Sequence, residues 1–171
     1  MAKTEGPALA ETLVRRLEAL GKTAVLAESC TAGLAADLIA SVPGASGVLW
    51  GSFVTYTVAA KIRMLGLEEA LLSRYGAVSR ETACAMAAGA LEKSGAAYSL
   101  SITGLAGPGG DGSGVPVGTV WIGCARHGEE AEAEVFHFTG SRNEVRREAA
   151  EKAVLKLLEY LDMAGKIYYD S

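Results

Sequence analysis

Ser29 stands between an apolar run, Thr23-Ala24-Val25-Leu26-Ala27, and a segment, 34–40, with the apolar spacing of a helix. A hydroxyl at a strand-to-helix junction lies beside the first amides of the helix, which lack intrahelical partners and carry partial positive charge. A nucleophile there has an oxyanion site in its neighbours' N–H groups. The same position suits a plain N-cap, for which Ser29 and Thr31 are both good residue types. Lys61 follows Tyr56 by five residues and falls in the first turns of a short predicted helix. A cation there opposes the helix dipole, and burial would lower its pKa further, as a lysine base requires. Left exposed, it is a solvated surface lysine, and Tyr56 at a strand end is a packing residue.

Two further groups suit an anion. The stretch Thr103 to Pro116 reads T-G-L-A-G-P-G-G-D-G-S-G-V-P. Glycines let backbone amides approach a ligand closely and form anion-binding nests. The stretch lacks the Gly-Lys-Ser/Thr ending of a P-loop and the spacing of a dinucleotide site, and it leads into a strand. A loop of this length in a compact domain is more often functional or disordered than a simple connection. Arg142 and Arg146 are one helical turn apart, and the spacing from Arg146 continues to Ala150 and Ala153 on an apolar stripe. At least one of them therefore faces the body of the protein. A buried guanidinium calls for an anion, either Glu144 or Glu148 or a ligand phosphate, and the spacing leaves both open.

The elements that must position these groups follow from periodicity and punctuation. Helices are predicted over 7–20, 34–41, 58–65, 68–75, 79–93 and 141–161. Strands are predicted over 23–27, 48–56, 97–102, 117–125 and 130–138, the last two as an antiparallel hairpin. Alternation of Glu130, Glu132 and Glu134 with Ala131, Ala133 and Val135 marks a half-exposed edge. Trp50 and Trp121 read as core or interface packing. Helices separate the early strands, so the fold class is α/β: a mixed, mostly parallel five-stranded sheet with helices on both faces. One domain is expected over 1–171, with a loose leader at 1–6 and a tail at 163–171.

Composition bounds the function. The chain has 171 residues, a net charge of −4 and a pI of about 5.3, so it offers no general basic field for nucleic acid. Mean hydropathy is +0.22 with only 6% aromatic residues, much of the apolar content being alanine. Surplus apolar surface of this kind is often buried between subunits, so a homo-oligomer is expected. Cys30, Cys84 and Cys124 are far apart and odd in number, as reduced thiols of a cytoplasmic protein would be. His127 and His137 show no metal spacing, and no metal is expected. No signal peptide or long apolar span is evident, so neither membrane nor export is expected.

Several stretches, in order, resemble the CinA C-terminal domain family, the nicotinamide-nucleotide amidases. They are E-S-C-T-A-G at 28–33, V-P-G-A-S at 42–46, Y-T-V-A-A-K at 56–61, G-A-V-S at 76–79, T-G-L-A-G-P-G-G at 103–110 and P-V-G-T-V at 116–120, followed by the arginine-led last helix. The resemblance implies a three-layer α/β/α domain of the stand-alone form. It implies deamidation of nicotinamide mononucleotide to nicotinate mononucleotide and ammonia, in pyridine-nucleotide recycling, with no cofactor. Catalytic roles would fall on Ser29, Tyr56 and Lys61. Cys30 and Thr31 amides would hold the oxyanion, and Thr103, Gly104, Ala106, Gly107, Gly109, Gly110, Arg142 and Arg146 would bind the nucleotide. The family often has Asn and Glu where this chain has Val58 and Ala59, and a glycine where it has Ala32. A non-catalytic nucleotide-binding module of the same fold is the alternative.

Overall fold

The computed structural model describes residues 6–167. The elements are α1 Gly6–Leu20, β1 Ala24–Glu28, α2 Leu34–Ala40, β2 Leu49–Val54, α3 Val58–Leu65, α4 Glu69–Tyr75, α5 Arg80–Ser94, β3 Tyr98–Gly104, β4 Thr119–Arg126, β5 Glu132–His137 and α6 Arg142–Ile167, with a short 3-10 turn at Ala45–Gly47. The strand order is β2-β1-β3-β4-β5. β1 pairs parallel with β2 and β3, and β4 pairs antiparallel with both β3 and β5. Four strands thus share one direction and β4 alone is reversed. The antiparallel part is larger than the hairpin alone, because the loop after β3 returns the chain beside that same strand.

Both faces of the sheet are covered, so β1 is buried along its whole length. Leu26 packs with Leu100, Ile102 and Ile122 under α1, α2 and α6, while Val25 and Ala27 pack with Leu65, Leu72, Met86 and Ala90 under α3, α4 and α5. Each such fully buried aliphatic side chain contributes about 2 kcal/mol of transfer free energy. β5 is the half-exposed edge that its alternating glutamates predict.

Local chemistry sets the boundaries that matter to the site. Thr57 caps α3 by accepting from the Ala60 amide at 3.1 Å, and Ser79 caps α5 by accepting from the Thr82 amide at 3.1 Å. Gly89 lets α3 lie close on α5, since a Cβ there would meet the Leu65 carbonyl oxygen at 2.4 Å. The glycine-rich loop is 105–118, two residues later than expected at each end. Its ends are pinched by hydrogen bonds from the Leu105 amide to Thr119 O and from the Gly118 amide to Leu105 O. Gly118 has φ +92, and a Cβ there would meet Phe138 O at 2.0 Å, so the predicted strand start at 117 gives way to a turn.

Two expectations change. α6 continues to Ile167, past the predicted stop at 161, because residues 162–164 (Asp, Met, Ala) offer neither proline nor capping glycine. Residues 163–167 are therefore helical and not tail, and 168–171 lie outside the described residues. Gly6 already belongs to α1, and the rest of the expected leader, 1–5, also lies outside them. Trp50 is half exposed, stacked on Phe53 with centroids 5.7 Å apart. No helix among the described residues is long and apolar enough to cross a membrane.

Candidate active site

β1 and β3 are neighbours, but the chain leaves β1 toward β2 on the other side. A crevice opens at such a switch point, at the carboxyl ends of the strands. Ser29 sits there, its amide donating to Ile102 O of β3 at 2.9 Å. The turn that follows is tight: Ala32 has φ +49 and Gly33 φ +100.

The Ser29 hydroxyl is not a helix cap. The N-cap of α2 is Gly33, with no side-chain hydrogen bond of its own. Glu28, fully buried, fills that role from the preceding strand. Its Oε2 accepts from Thr31 Oγ1 at 2.7 Å, the Gly33 amide at 2.9 Å and the Ala35 amide at 3.2 Å. Its Oε1 accepts from the Ala36 amide at 3.0 Å and Ser52 Oγ at 3.1 Å. A carboxylate buried at a helix N-terminus with this many donors is fully satisfied. Ser29 is thereby left free for another partner.

That partner is Lys61. Its side chain is 1% exposed, and Nζ donates to Ser29 Oγ at 2.9 Å and to Thr55 O at 2.8 Å. Burial lowers its pKa to about 8, with the Cys30 thiol opposing weakly. Among the described residues no carboxylate pairs with it. Desolvation, more than the helix dipole invoked from sequence, is what makes the neutral amine accessible. A neutral amine can donate one N–H to Thr55 O and turn its lone pair to the Ser29 hydroxyl.

Among the described residues neither Arg142 nor Arg146 pairs with Glu144 or Glu148. Arg146 Nε donates to Cys30 O at 2.9 Å and its NH2 to Thr31 O at 3.2 Å, so this guanidinium ties α6 to the Ser29 turn. Arg142 donates to Gly107 O and to the Tyr56 hydroxyl, each at 2.6 Å. Tyr56 is 50% exposed and is joined to Arg142, not to the Ser29–Lys61 pair.

The other expected residues divide. Thr103 is buried and donates to Ala77 O at 2.6 Å, and Gly104 pairs with Val120 inside the sheet. Ala106 packs in the core. Gly107 contributes its carbonyl to Arg142, while Gly109 and Gly110 lie exposed at the loop tip. The Cys30 thiol is buried and its pKa is pushed up to about 11, chiefly by desolvation, so it is no thiolate. Among the described residues the Cys30 and Thr31 amides have no acceptor in the protein. His127 contacts Ala96 O and His137 contacts Thr119 Oγ1; no group of three or more His, Cys, Asp or Glu residues among those described is placed to hold a metal.

Sequence reasoning missed Glu28, Thr55 and Ser52. A glutamate closing a four-residue apolar run, just before a helix start, was the available signal for the first.

The arrangement defines a class: a three-layer α/β/α domain whose site joins the ends of the parallel strands to the last helix. The chain belongs to the CinA family, the family model for the CinA C-terminal domain matching residues 7–161. A CinA-like protein of Akkermansia muciniphila is 44% identical over 154 residues, covering 90% of this chain and 37% of that one. A CinA-like protein of Anaeromyxobacter is 47% identical over 147 residues, covering 85% and 36%. The chain thus spans little more than a third of these curated relatives. The crystal structure of a CinA superfamily protein from Escherichia coli superposes with a TM-score of 0.88 at 35% identity, over 94% of this chain and 93% of that one. A competence/damage inducible protein of Agrobacterium tumefaciens gives 0.88 at 35% identity, over 95% and 98%.

Proposed function

We propose that this chain is an amidohydrolase that converts nicotinamide mononucleotide to nicotinate mononucleotide and ammonia, within pyridine-nucleotide recycling in the cytoplasm. The observation that carries the reading is the buried Lys61 Nζ, 2.9 Å from Ser29 Oγ and without a carboxylate partner. Neutral Lys61 takes the serine proton as Oγ bonds to the carboxamide carbon. The free Cys30 and Thr31 amides receive the developing oxyanion. Lys61 then returns the proton to nitrogen, the C–N bond breaks and ammonia leaves. Water, deprotonated by Lys61, hydrolyses the acyl-serine. Proton transfer is direct, since Tyr56 is engaged with Arg142. That pair, with the loop at Gly107, is suited to the ribose phosphate, whose binding energy orients the amide. Val58 and Ala59 are exposed while Lys61 is buried, so these plain residues leave its desolvation in place.

The test is ammonia release from nicotinamide mononucleotide, with Ser29→Ala as control. Turnover in the parent and none in the variant is expected. Ligand binding without ammonia release would favour a non-catalytic nucleotide-binding module instead.

A further inference from the structure

We propose that the Thr55 hydroxyl is a positioning group for the lysine base. It accepts the Lys61 N–H that Ser29 and the Thr55 carbonyl leave over, and it holds the amine in its charged form once the serine proton has arrived. This rests on the functional reading above, since that step forms the ammonium.

Three buried side-chain polar atoms among the described residues have no hydrogen-bond partner: Thr55 Oγ1, Arg126 Nε and Tyr160 Oη. The last two belong together. The Arg126 guanidinium lies 6.0 Å from the Tyr160 ring centroid, at the end of β4 that pairs with the start of β3, away from the Ser29 crevice. Thr55 follows β2 at the crevice itself and is 0% exposed. A hydroxyl buried without a partner is costly, so an orphan in this place calls for a reason.

The backbone sets the direction of the side chain. The Thr55 amide donates to Glu28 O at 2.8 Å, which continues the β1–β2 ladder one residue past Val54. Alternation then points Thr55 to the face taken by Phe53, which packs with Leu65 and Leu67 on the α3 side. Lys61 comes from α3 onto that same face, where its Nζ donates to Thr55 O at 2.8 Å. The residue whose carbonyl holds the lysine thus carries its idle hydroxyl on the lysine's side of the sheet.

A count of donors assigns the hydroxyl its task. A neutral amine has two N–H groups and a lone pair. One N–H goes to Thr55 O and the lone pair to the Ser29 hydroxyl, so one N–H is left over. An ammonium has three N–H groups, and with Ser29 Oγ and Thr55 O as acceptors one is again left over. Ser29 Oγ becomes a poorer acceptor as it bonds to the carboxamide carbon, so the ammonium then leans on Thr55. Hydrogen bonds from a charged donor are about twice as strong as neutral ones, so an acceptor here favours the ammonium over the amine. It raises the pKa against the desolvation that lowers it.

No neighbouring charge supplies this instead. The Cys30 thiol, in the turn after β1, is buried and neutral. Glu28 of β1 is engaged by the start of α2, and β2 has no charged residue. Arg146 of α6 is held by the Cys30 and Thr31 carbonyls, and Tyr56 by Arg142. Arg63 of α3 is exposed. On α5, Arg80 and Glu81 act on the Cys84 thiol, Glu92 is exposed, and Lys93 lies by Gly66, past the end of α3.

The test is the titration of Lys61 itself, followed by NMR of the lysine ε-carbon, with Lys61→Met giving the assignment. The parent should titrate near 8. Thr55→Val keeps the shape and loses the hydroxyl, and Lys61 should then titrate about one pH unit lower. Thr55→Ala, which adds no bulk, should move it the same way, and Thr55→Ser should restore the parent value. In the ammonia assay the rise of kcat/KM with pH should shift down with the NMR midpoint in Thr55→Val. Its plateau kcat should fall about tenfold with KM unchanged. A midpoint unmoved in the folded valine and alanine variants overturns the proposal, and so does a loss of kcat with no movement of the midpoint. A shifted midpoint in a chain whose parent releases no ammonia removes the functional reading and leaves the hydroxyl–lysine contact standing. Ammonia release with an unmoved midpoint does the reverse.

Discussion

Lys61 Nζ, from α3, and Ser29 Oγ, from the turn after β1, lie 2.9 Å apart, with Thr55 O as the lysine's second acceptor. Proton acceptance by Lys61 needs the neutral amine, and burial brings its pKa to about 8. The rate kcat/KM should therefore rise with pH through about 8 and level off above it. Lys61→Arg, charged at every accessible pH, should be inactive throughout; a profile flat between pH 6 and 9 would remove Lys61 as the base.

Stability should show the same group with its sign fixed. Lys61 titrates near 10.5 in the unfolded chain and near 8 in the folded one. Between those values the unfolded chain holds the extra proton, so stability rises with pH across that window. Below it the full penalty is present, on the order of 3 kcal/mol at most. Lys61→Met should then raise the urea midpoint at pH 7 while abolishing turnover, and the gain should shrink by pH 11.

Glu28 should be costly to remove. Glu28→Ala leaves three amides and two hydroxyls without their acceptor, a loss of roughly 3 kcal/mol or more in urea unfolding. Glu28→Gln, which keeps one acceptor oxygen, should fall between the two. An alanine variant as stable as the parent would show that the turn closes without the carboxylate.

Arg142→Ala should raise KM for nicotinamide mononucleotide severalfold and leave the rate on nicotinamide riboside nearly unchanged, because only the former carries the phosphate. Initial rates on the two substrates decide this. Equal losses on both would move the phosphate elsewhere.

Ala32→Gly should be neutral or stabilising by up to about 1 kcal/mol, although glycine ordinarily destabilises. Ala32 holds φ +49, a left-handed conformation strained for any residue with a Cβ. Thermal melts of the variant against Ala35→Gly, inside α2, make the contrast.

Much of this was legible in the residues. Helical and strand periods located the α-helices and strands to within a few positions except at the end of α6, because the inner strands are covered on both faces and the edge strand β5 alternates. The strand order was not legible, since a loop of many glycines carries no direction. Lys61 and Ser29 were each nominated, yet their contact depends on α3 lying close to α5 at Gly89, which no local pattern reports. At least one arginine was read as facing inward, and half-buried Arg146 does, but its acceptors are the carbonyls of Cys30 and Thr31, which any sequence would possess, while exposed Arg142 reaches Gly107 O and the Tyr56 hydroxyl. Glu28 was passed over because a hydroxyl beside it offered a simpler cap.

Arg146 reaches the carbonyl of Thr31 across 115 residues of chain. The serine turn and the guanidinium that braces it therefore close a long loop, which costs chain entropy to form. Without α6 docked, Ser29 and Lys61 would keep their own elements while the Cys30 and Thr31 carbonyls stayed untied. The shape of the turn is thus a property of the whole fold, and a change that loosens α6 should be felt at Ser29 before it is felt in the sheet.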